Sequence, residues 1–293
     1  MDPACLQHQV TDQERTTFER DGYLIVENAI PQSLVDRLVP ISDRVDRQER
    51  DRMGKSPEAR INHYDFIGKD DAYLELLDCP TTFPKVWGLL NWHIQLYHTH
   101  MTYTPPEPQG HSLETHGLGL GWHQDSGTLN QDLESTPRPR VSLKIAYFLT
   151  DTTQTGRGNF YVLPGSHLQD DFPGGDRKGM VDGGIPVCVP PGTAVFFDRR
   201  LWHSGSHNFW REPRRVLFYG YSYRWLRPRD NMTVAHYLDC CDPIRQQLLG
   251  VTHSGGRGYT SPTSEDVPLR VWLEEQEAAA RRSPSCVNSM VAG

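Results

Sequence analysis

The sequence predicts a mainly β protein, a sandwich or jelly roll with helices in front of it. Three observations carry that expectation. Short apolar runs recur from His93 to Tyr223, clusters of Gly and Pro separate them, and the helical period is confined to the N-terminal third. The 293 residues suffice for one large β domain with helical additions or for two small domains. With 37% hydrophobic and 23% charged residues the chain has the composition of a globular protein, and its 10% of aromatics suits a core or an apolar pocket. A net charge of −7 gives no electrostatic reason to expect nucleic acid as a partner. The segment from Met1 to Glu14 is polar and acidic, unlike a signal peptide, and no apolar run is long enough to span a membrane. The six cysteines form no CxxC and read as free thiols of a reducing compartment, so the cytoplasm is expected.

The elements follow in order. Thr11 and Glu14 have capping-box spacing and start a helix to about Arg20, which Asp21-Gly22 ends. Tyr23-Leu24-Ile25-Val26 is a buried strand. Pro31 opens a helix with Leu34, Val35, Leu38, Ile41 and Val45 on one stripe. Residues 46 to 62 are strongly charged and expected to be exposed, and helical stretches are expected near 70–78 and 81–91. Strands are expected over Ile94–Tyr103, Val141–Leu149, Asn159–Leu163, Ile185–Val189, Thr193–Phe197 and Val216–Tyr223. A single domain of residues 1–278 results, with a helical part over about 11–92, a barrel over about 93–228, an extension over 229–278 and a flexible tail over 279–293.

The chemistry gathers in Gly121-Trp122-His123-Gln124-Asp125. In an extended strand His123 and Asp125 point to the same face. His203 follows a second apolar strand and supplies a third candidate ligand. Two imidazoles and one carboxylate on one face suit non-haem iron(II), because they leave half of an octahedron open for a chelating co-substrate and O2. A His-x-Asp alone also fits an ordinary hydrogen-bonded pair, so the weight rests on the combination. Arg214 then opens an apolar strand. A cation there suits a bidentate clamp on a carboxylate such as the distal one of 2-oxoglutarate, against the plainer reading of a solvated strand end. Its neighbour Arg215 should face the other way.

In this order, His123-x-Asp125, Pro164-Gly165-Ser166-His167, His203 and Arg214 resemble the phytanoyl-CoA dioxygenase family, as does the opening Phe18-Glu19-Arg20-Asp21-Gly22-Tyr23-Leu24-Ile25-Val26. The resemblance covers roughly residues 11 to 228; members include ectoine hydroxylase and natural-product tailoring enzymes. It implies a double-stranded β-helix of cupin-like jelly-roll form, with Fe(2+) held by His123, Asp125 and His203 as the catalytic centre. It also implies 2-oxoglutarate held by Arg214, with Thr128, His98 and Thr102 near it, and O2 as co-substrate, with ascorbate a candidate stimulant. Histidine at position 98 departs from the glutamine of ectoine hydroxylase, and a purely structural role for His98 and His100 stays open. Asp125 disfavours halogenation, since related halogenases carry a small residue in its place.

The expected activity is hydroxylation, or another oxidation at carbon, of a small-molecule substrate in secondary metabolism, releasing succinate and CO2. Two alternatives remain: an acyl-CoA or amino-acid-derivative hydroxylase of the same fold, and a non-catalytic cupin-like metal-binding module. No nucleic acid or membrane partner is expected, and a homodimer is compatible with this reading. The Gly-rich segments 105–121 and 169–184 are candidate lids or plain surface loops. Trp122 and Trp202 should point away from the metal, and Lys144 meets either an anion or solvent.

Overall fold

A computed structural model describes residues 1–282. Its nine strands form two antiparallel sheets. The larger has the order β1 (Tyr23–Val26), β7 (Ala194–Asp198), β4 (Ser142–Phe148), β9 (Arg214–Tyr223), β3 (Ile94–Thr104), β2 (Ile61–Tyr64). The smaller has the order β6 (Ile185–Val187), β5 (Phe160–Val162), β8 (His203–Gly205). Strands distant in sequence are neighbours in both sheets, the winding expected of a jelly roll.

Alternation along the strands builds two layers of core. Leu143, Ile145 and Tyr147 of β4 join Leu217, Tyr219 and Tyr221 of β9 in a cluster with the helices α1 (Asp12–Asp21), α2 (Gln32–Met53), α3 (Leu74–Leu77) and α4 (Phe83–Leu90). The opposite faces of the same strands carry Ala146, Phe148, Val216 and Phe218. These pack on Val195 and Phe197 of β7 and on Phe160 and Val162 of β5, so the two sheets close on a shared apolar layer. By the same alternation Lys144 and Arg214 belong to the inner face. Arg215 points outward to Asp43 of α2, with Nε 2.6 Å from Oδ1, as expected.

Two local devices fix what reaches the inner face. The register of β3 slips between Leu96 and His98 where it pairs with β9. This bulge shifts the alternation: Ile94 and Leu96 pack against the helices, and beyond it Met101 does so. His98, His100 and Thr102 therefore share the inner face. Across from them Gly220 leaves room that a side chain would fill, since a Cβ there would lie 2.9 Å from Tyr97 Cε1.

At the N-terminus the capping box forms, with Thr11 Oγ1 accepting from Glu14 N and Glu14 accepting from Thr11 N. Gly22 ends α1 at φ 80°, a conformation that only glycine adopts without strain. The turn Pro164 to His167 locks onto this corner: Gly165 N donates to Asp21 O, and His167 Nε2 lies 3.1 Å from Glu19 O. His167 is thus structural.

The structure corrects three expectations. The charged stretch 46–62 is not all exposed: α2 runs to Met53, and Asp46 is buried between Arg50 and His63, at 2.7 and 2.6 Å. Pairing at i,i+4 makes that burial tolerable. Residues 61–64 then form β2, against the edge of β3. Residues 279–282, expected to begin a flexible tail, are helical, because a helix spans Pro268–Arg282; its Glu- and Ala-rich sequence favours helix and its last turn carries Arg281 and Arg282. The remainder of that tail, and Cys286, lie outside the described residues. Among the described residues five cysteines are free, and no helix is long and apolar enough to cross a membrane.

Candidate metal centre

His123 pairs with His203 of β8 through an isolated antiparallel bridge, which sets its segment alongside the smaller sheet. Each backbone N–H donates to the other's carbonyl at 3.0 Å, which brings the two rings to 4.3 Å between centroids. Asp125 is fixed by the same pairing, through its N–H to Arg199 O at 2.9 Å. One potential ligand atom from each of His123, Asp125 and His203 lies within 4.8 Å of the others. His123 is the exposed member; Asp125 and His203 are buried.

The ring nitrogens are already assigned by their neighbours. His203 Nδ1 is 2.7 Å from Leu201 O and His123 Nδ1 is 3.1 Å from Gly121 O. A carbonyl only accepts, so Nδ1 carries the proton and Nε2 keeps its lone pair in both rings. Burial, reinforced by His123, pushes His203 down to about 3, which keeps it neutral. Burial opposes the charge on Asp125, but the Lys144 ammonium beside it outweighs burial and holds the carboxyl well below its usual range. Lys144 Nζ donates to Asp125 Oδ1 at 2.8 Å, and Oδ2 is buried without a partner. Two lone pairs and one orphaned anionic oxygen converge, a donor set that fits a divalent iron.

Beside these groups lies a cavity of about 80 Å3. Phe160, Phe197 and Phe218 form its apolar wall; Arg60, Asn62, His100, Thr102, Lys144 and Arg214 supply the polar part. Arg214 is 3% exposed, and its Nε and Nη2 are buried with no partner. Burial, with Arg60 nearby, pushes its guanidinium down to about 9, so it remains charged at neutral pH. Three cations thus face one carboxylate, and the imbalance calls for an anion. A dicarboxylate chelator such as 2-oxoglutarate suits both the orphaned fork of Arg214 and the metal position.

The residues expected from sequence divide. His123, Asp125, His203, Arg214 and Thr102 border the cavity; Thr102 donates to Asn62 Oδ1 at 2.8 Å. Thr128 does not: it is exposed on the short helix Gly127–Asp132. His98 is 1% exposed and sits behind His100, outside the lining. Neither candidate lid contributes a lining residue. Segment 169–184 instead packs on Trp122 and Trp202, which face away from the metal position as expected. Sequence reasoning missed Arg60 and Asn62, which lie in the stretch read as solvated, and left Lys144 undecided. The inward parity of Lys144 with Ala146 and Phe148 was the available signal.

Comparison with known proteins identifies the family and the fold. The family model for phytanoyl-CoA dioxygenase matches residues 18–216. The ectoine dioxygenase of Nocardia farcinica is 25% identical over 244 residues, covering 72% of this chain and 77% of that protein. HygX from Streptomyces hygroscopicus, solved with nickel and 2-oxoglutarate bound, superposes with a TM-score of 0.60 at 15% identity, over 75% of this chain and 90% of that one. SnoN, a non-haem α-ketoglutarate-dependent epimerase from nogalamycin biosynthesis, gives 0.53 at 20% identity, over 75% and 84%. At these identities the two structures establish the shared fold, the cupin-like jelly roll.

Proposed function

The chain belongs to the phytanoyl-CoA dioxygenase family, and on that premise we propose that it is an iron(II)- and 2-oxoglutarate-dependent dioxygenase that hydroxylates a small molecule in secondary metabolism. The observation that carries the reading is the pairing of two unmet demands in one cavity. Asp125 Oδ2 is orphaned between two imidazole lone pairs, and Arg214 presents two orphaned donors toward the same space.

In this reading His123 and His203 would hold the metal through the Nε2 lone pairs their Nδ1 hydrogen bonds leave free, and Asp125 would hold it through Oδ2. Iron(II) bound there supplies O2 activation and oxidation of a substrate carbon, while 2-oxoglutarate leaves as succinate and CO2. Lys144 holds Oδ1 of Asp125, so Oδ2 is the oxygen that would be free to hold the metal. Arg214 grips the distal carboxylate, helped by Arg60, and Thr102 lies beside it. The phenylalanine wall excludes water from the reacting atoms. At about 80 Å3 the cavity is far below the roughly 300–1,000 Å3 usual for ligand pockets. That is room for two or three waters at about 30 Å3 each, so the cavity has to widen to admit 2-oxoglutarate, and the substrate presents only its reacting carbon from the mouth.

The test is succinate release by purified protein given iron(II), 2-oxoglutarate and ascorbate, across a broad panel of acyl-CoA, amino-acid and natural-product substrates. Release is expected with at least one substrate and is lost in His123→Ala and Asp125→Ala variants that remain folded. No release from any member of the panel, with metal bound, would favour a non-catalytic binding module instead.

A further inference from the structure

From the cavity wall a chain of three groups runs inward that metal binding does not use: His100 at the wall, buried His98 behind it, and the Asp230 carboxylate, 3% exposed. Asp230 Oδ1 lies 2.6 Å from His98 Nδ1, and His98 Nε2 lies 2.9 Å from His100 Nδ1. His100 lines the cavity beside Lys144 and Phe218, and its Nε2 has no partner among the described residues. The ring cannot swing away: it stacks on Phe218 at 4.2 Å and 6° between planes, and Tyr64 packs against both imidazoles. Asp230 is equally fixed, because its other oxygen accepts from Thr99 N and Thr99 Oγ1.

The polarity of this chain follows from donor arithmetic. Asp230 Oδ2 accepts from Thr99 N and Thr99 Oγ1, and a carboxylate offers its Oδ1 as an acceptor as well. His98 Nδ1 must therefore donate to it. A neutral imidazole has one donor and one acceptor, so His98 Nε2 accepts, and His100 Nδ1 must donate to it. What remains at the cavity is His100 Nε2 as a bare lone pair. Lys144 spends its hydrogen bond on Asp125, not on this nitrogen. Burial lowers the proton affinity of both imidazoles, with Lys144 and Arg229 acting in the same direction and Asp230 opposing them at His98. Both rings are accordingly neutral at physiological pH.

We propose that Asp230, His98 and His100 form a relay that fixes His100 Nε2 as a hydrogen-bond acceptor in the cavity, so that it selects a substrate carrying an O–H or N–H donor near the carbon to be oxidised. The inference rests on the cavity being the substrate site. It gives His98 a role distinct from the one implied by the family resemblance. A lone pair repels a carboxylate, so the relay serves the substrate and not 2-oxoglutarate, which Arg214 attracts. Asp230 and His98 are positioning residues; His100 touches the ligand.

The test reads imidazole nitrogen-15 resonances in zinc-loaded protein, which needs no turnover and so stands apart from the oxygenase reading. His100 is assigned by loss of its signals in His100→Gln. In the wild type His100 Nε2 should resonate as an unprotonated nitrogen and Nδ1 as a protonated one. Asp230→Asn keeps the shape and the Thr99 contacts, but its amide donates to His98 and reverses every bond, so the His100 assignments should exchange. Formamide, which carries N–H donors, should shift the wild-type Nε2 resonance. Dimethylformamide, which carries none, should not, and the formamide response should be lost in Asp230→Asn. A protonated Nε2 in the wild type overturns the proposal, as does the absence of a formamide response or an equal response to both amides. If Asp230→Asn does not fold, the wild-type spectrum and the two-amide comparison decide the matter alone.

Discussion

Replacing Arg214 by alanine separates a co-substrate clamp from a structural strand cation. The guanidinium offers two buried, unpaired donors, Nε and Nη2. A hydrogen bond to a charged group contributes about 1.5–3 kcal/mol. Two such bonds to a carboxylate sum to about 3–6 kcal/mol. Arg60 remains in the variant and takes over part of the charge, so about 3 kcal/mol should be lost, roughly a hundredfold in Kd for 2-oxoglutarate. Arg214→Lys keeps the charge without the fork and should fall between. The assay is calorimetric titration of 2-oxoglutarate into anaerobic metal-loaded protein, paired with thermal unfolding of the free protein. Unmet buried donors cost about 1–3 kcal/mol each. Removing them offsets the lost packing on Phe148, over which the guanidinium sits at 5.6 Å. The Tm without co-substrate should therefore hardly move. An unchanged Kd together with a sharply lower Tm would refute the reasoning and make Arg214 a structural residue.

Three further outcomes are expected. Lys144→Met leaves Asp125 charged, buried and unpaired, which should cost about 3–5 kcal/mol in the metal-free protein and clearly less with metal bound; equal losses in denaturant unfolding of both forms would contradict this. Asp198 is fully buried against Arg140 and Arg200, which together outweigh burial and lower its pKa. A lowered folded-state pKa contributes stability above the unfolded value, roughly 3.9, and loses it as pH falls through the folded value. The stability gap between wild type and Asp198→Asn in denaturant titrations should thus be widest near neutral pH and close as acid is added; a gap that widens in acid would reverse the assigned sign. Thr128→Ala should leave 2-oxoglutarate affinity unchanged in the same calorimetric titration, because Thr128 is exposed outside the cavity; a marked loss would return it to the site.

Much of the architecture is legible because the strands on the shared layer are apolar on both faces and bounded by Gly or Pro. The capping box of α1 and the outward turn of Arg215 follow from local rules alone. Short-range information ends at β2, where Ile61 to Tyr64 is too brief and polar to signal a strand and exists because the edge of β3 is there to pair with. The same limit hides Arg60 and Asn62. His123, Asp125 and His203 were readable as residue types at workable spacing, but their convergence comes from the backbone bridge between the His123 segment and β8. The relay is the clearest loss: Asp230 meets His98 only through the chain's return past the last strand, and the bulge near Tyr97 that turns His98 and His100 inward has no sequence signature.

The central claim is that His123, Asp125 and His203 grip one metal ion. It is tested most directly by anomalous diffraction at the iron edge from crystals soaked anaerobically in iron(II). The account predicts a single strong peak within bonding distance of His123 Nε2, Asp125 Oδ2 and His203 Nε2, absent in Asp125→Ala crystals. A peak elsewhere, or none at saturating iron(II), would contradict it.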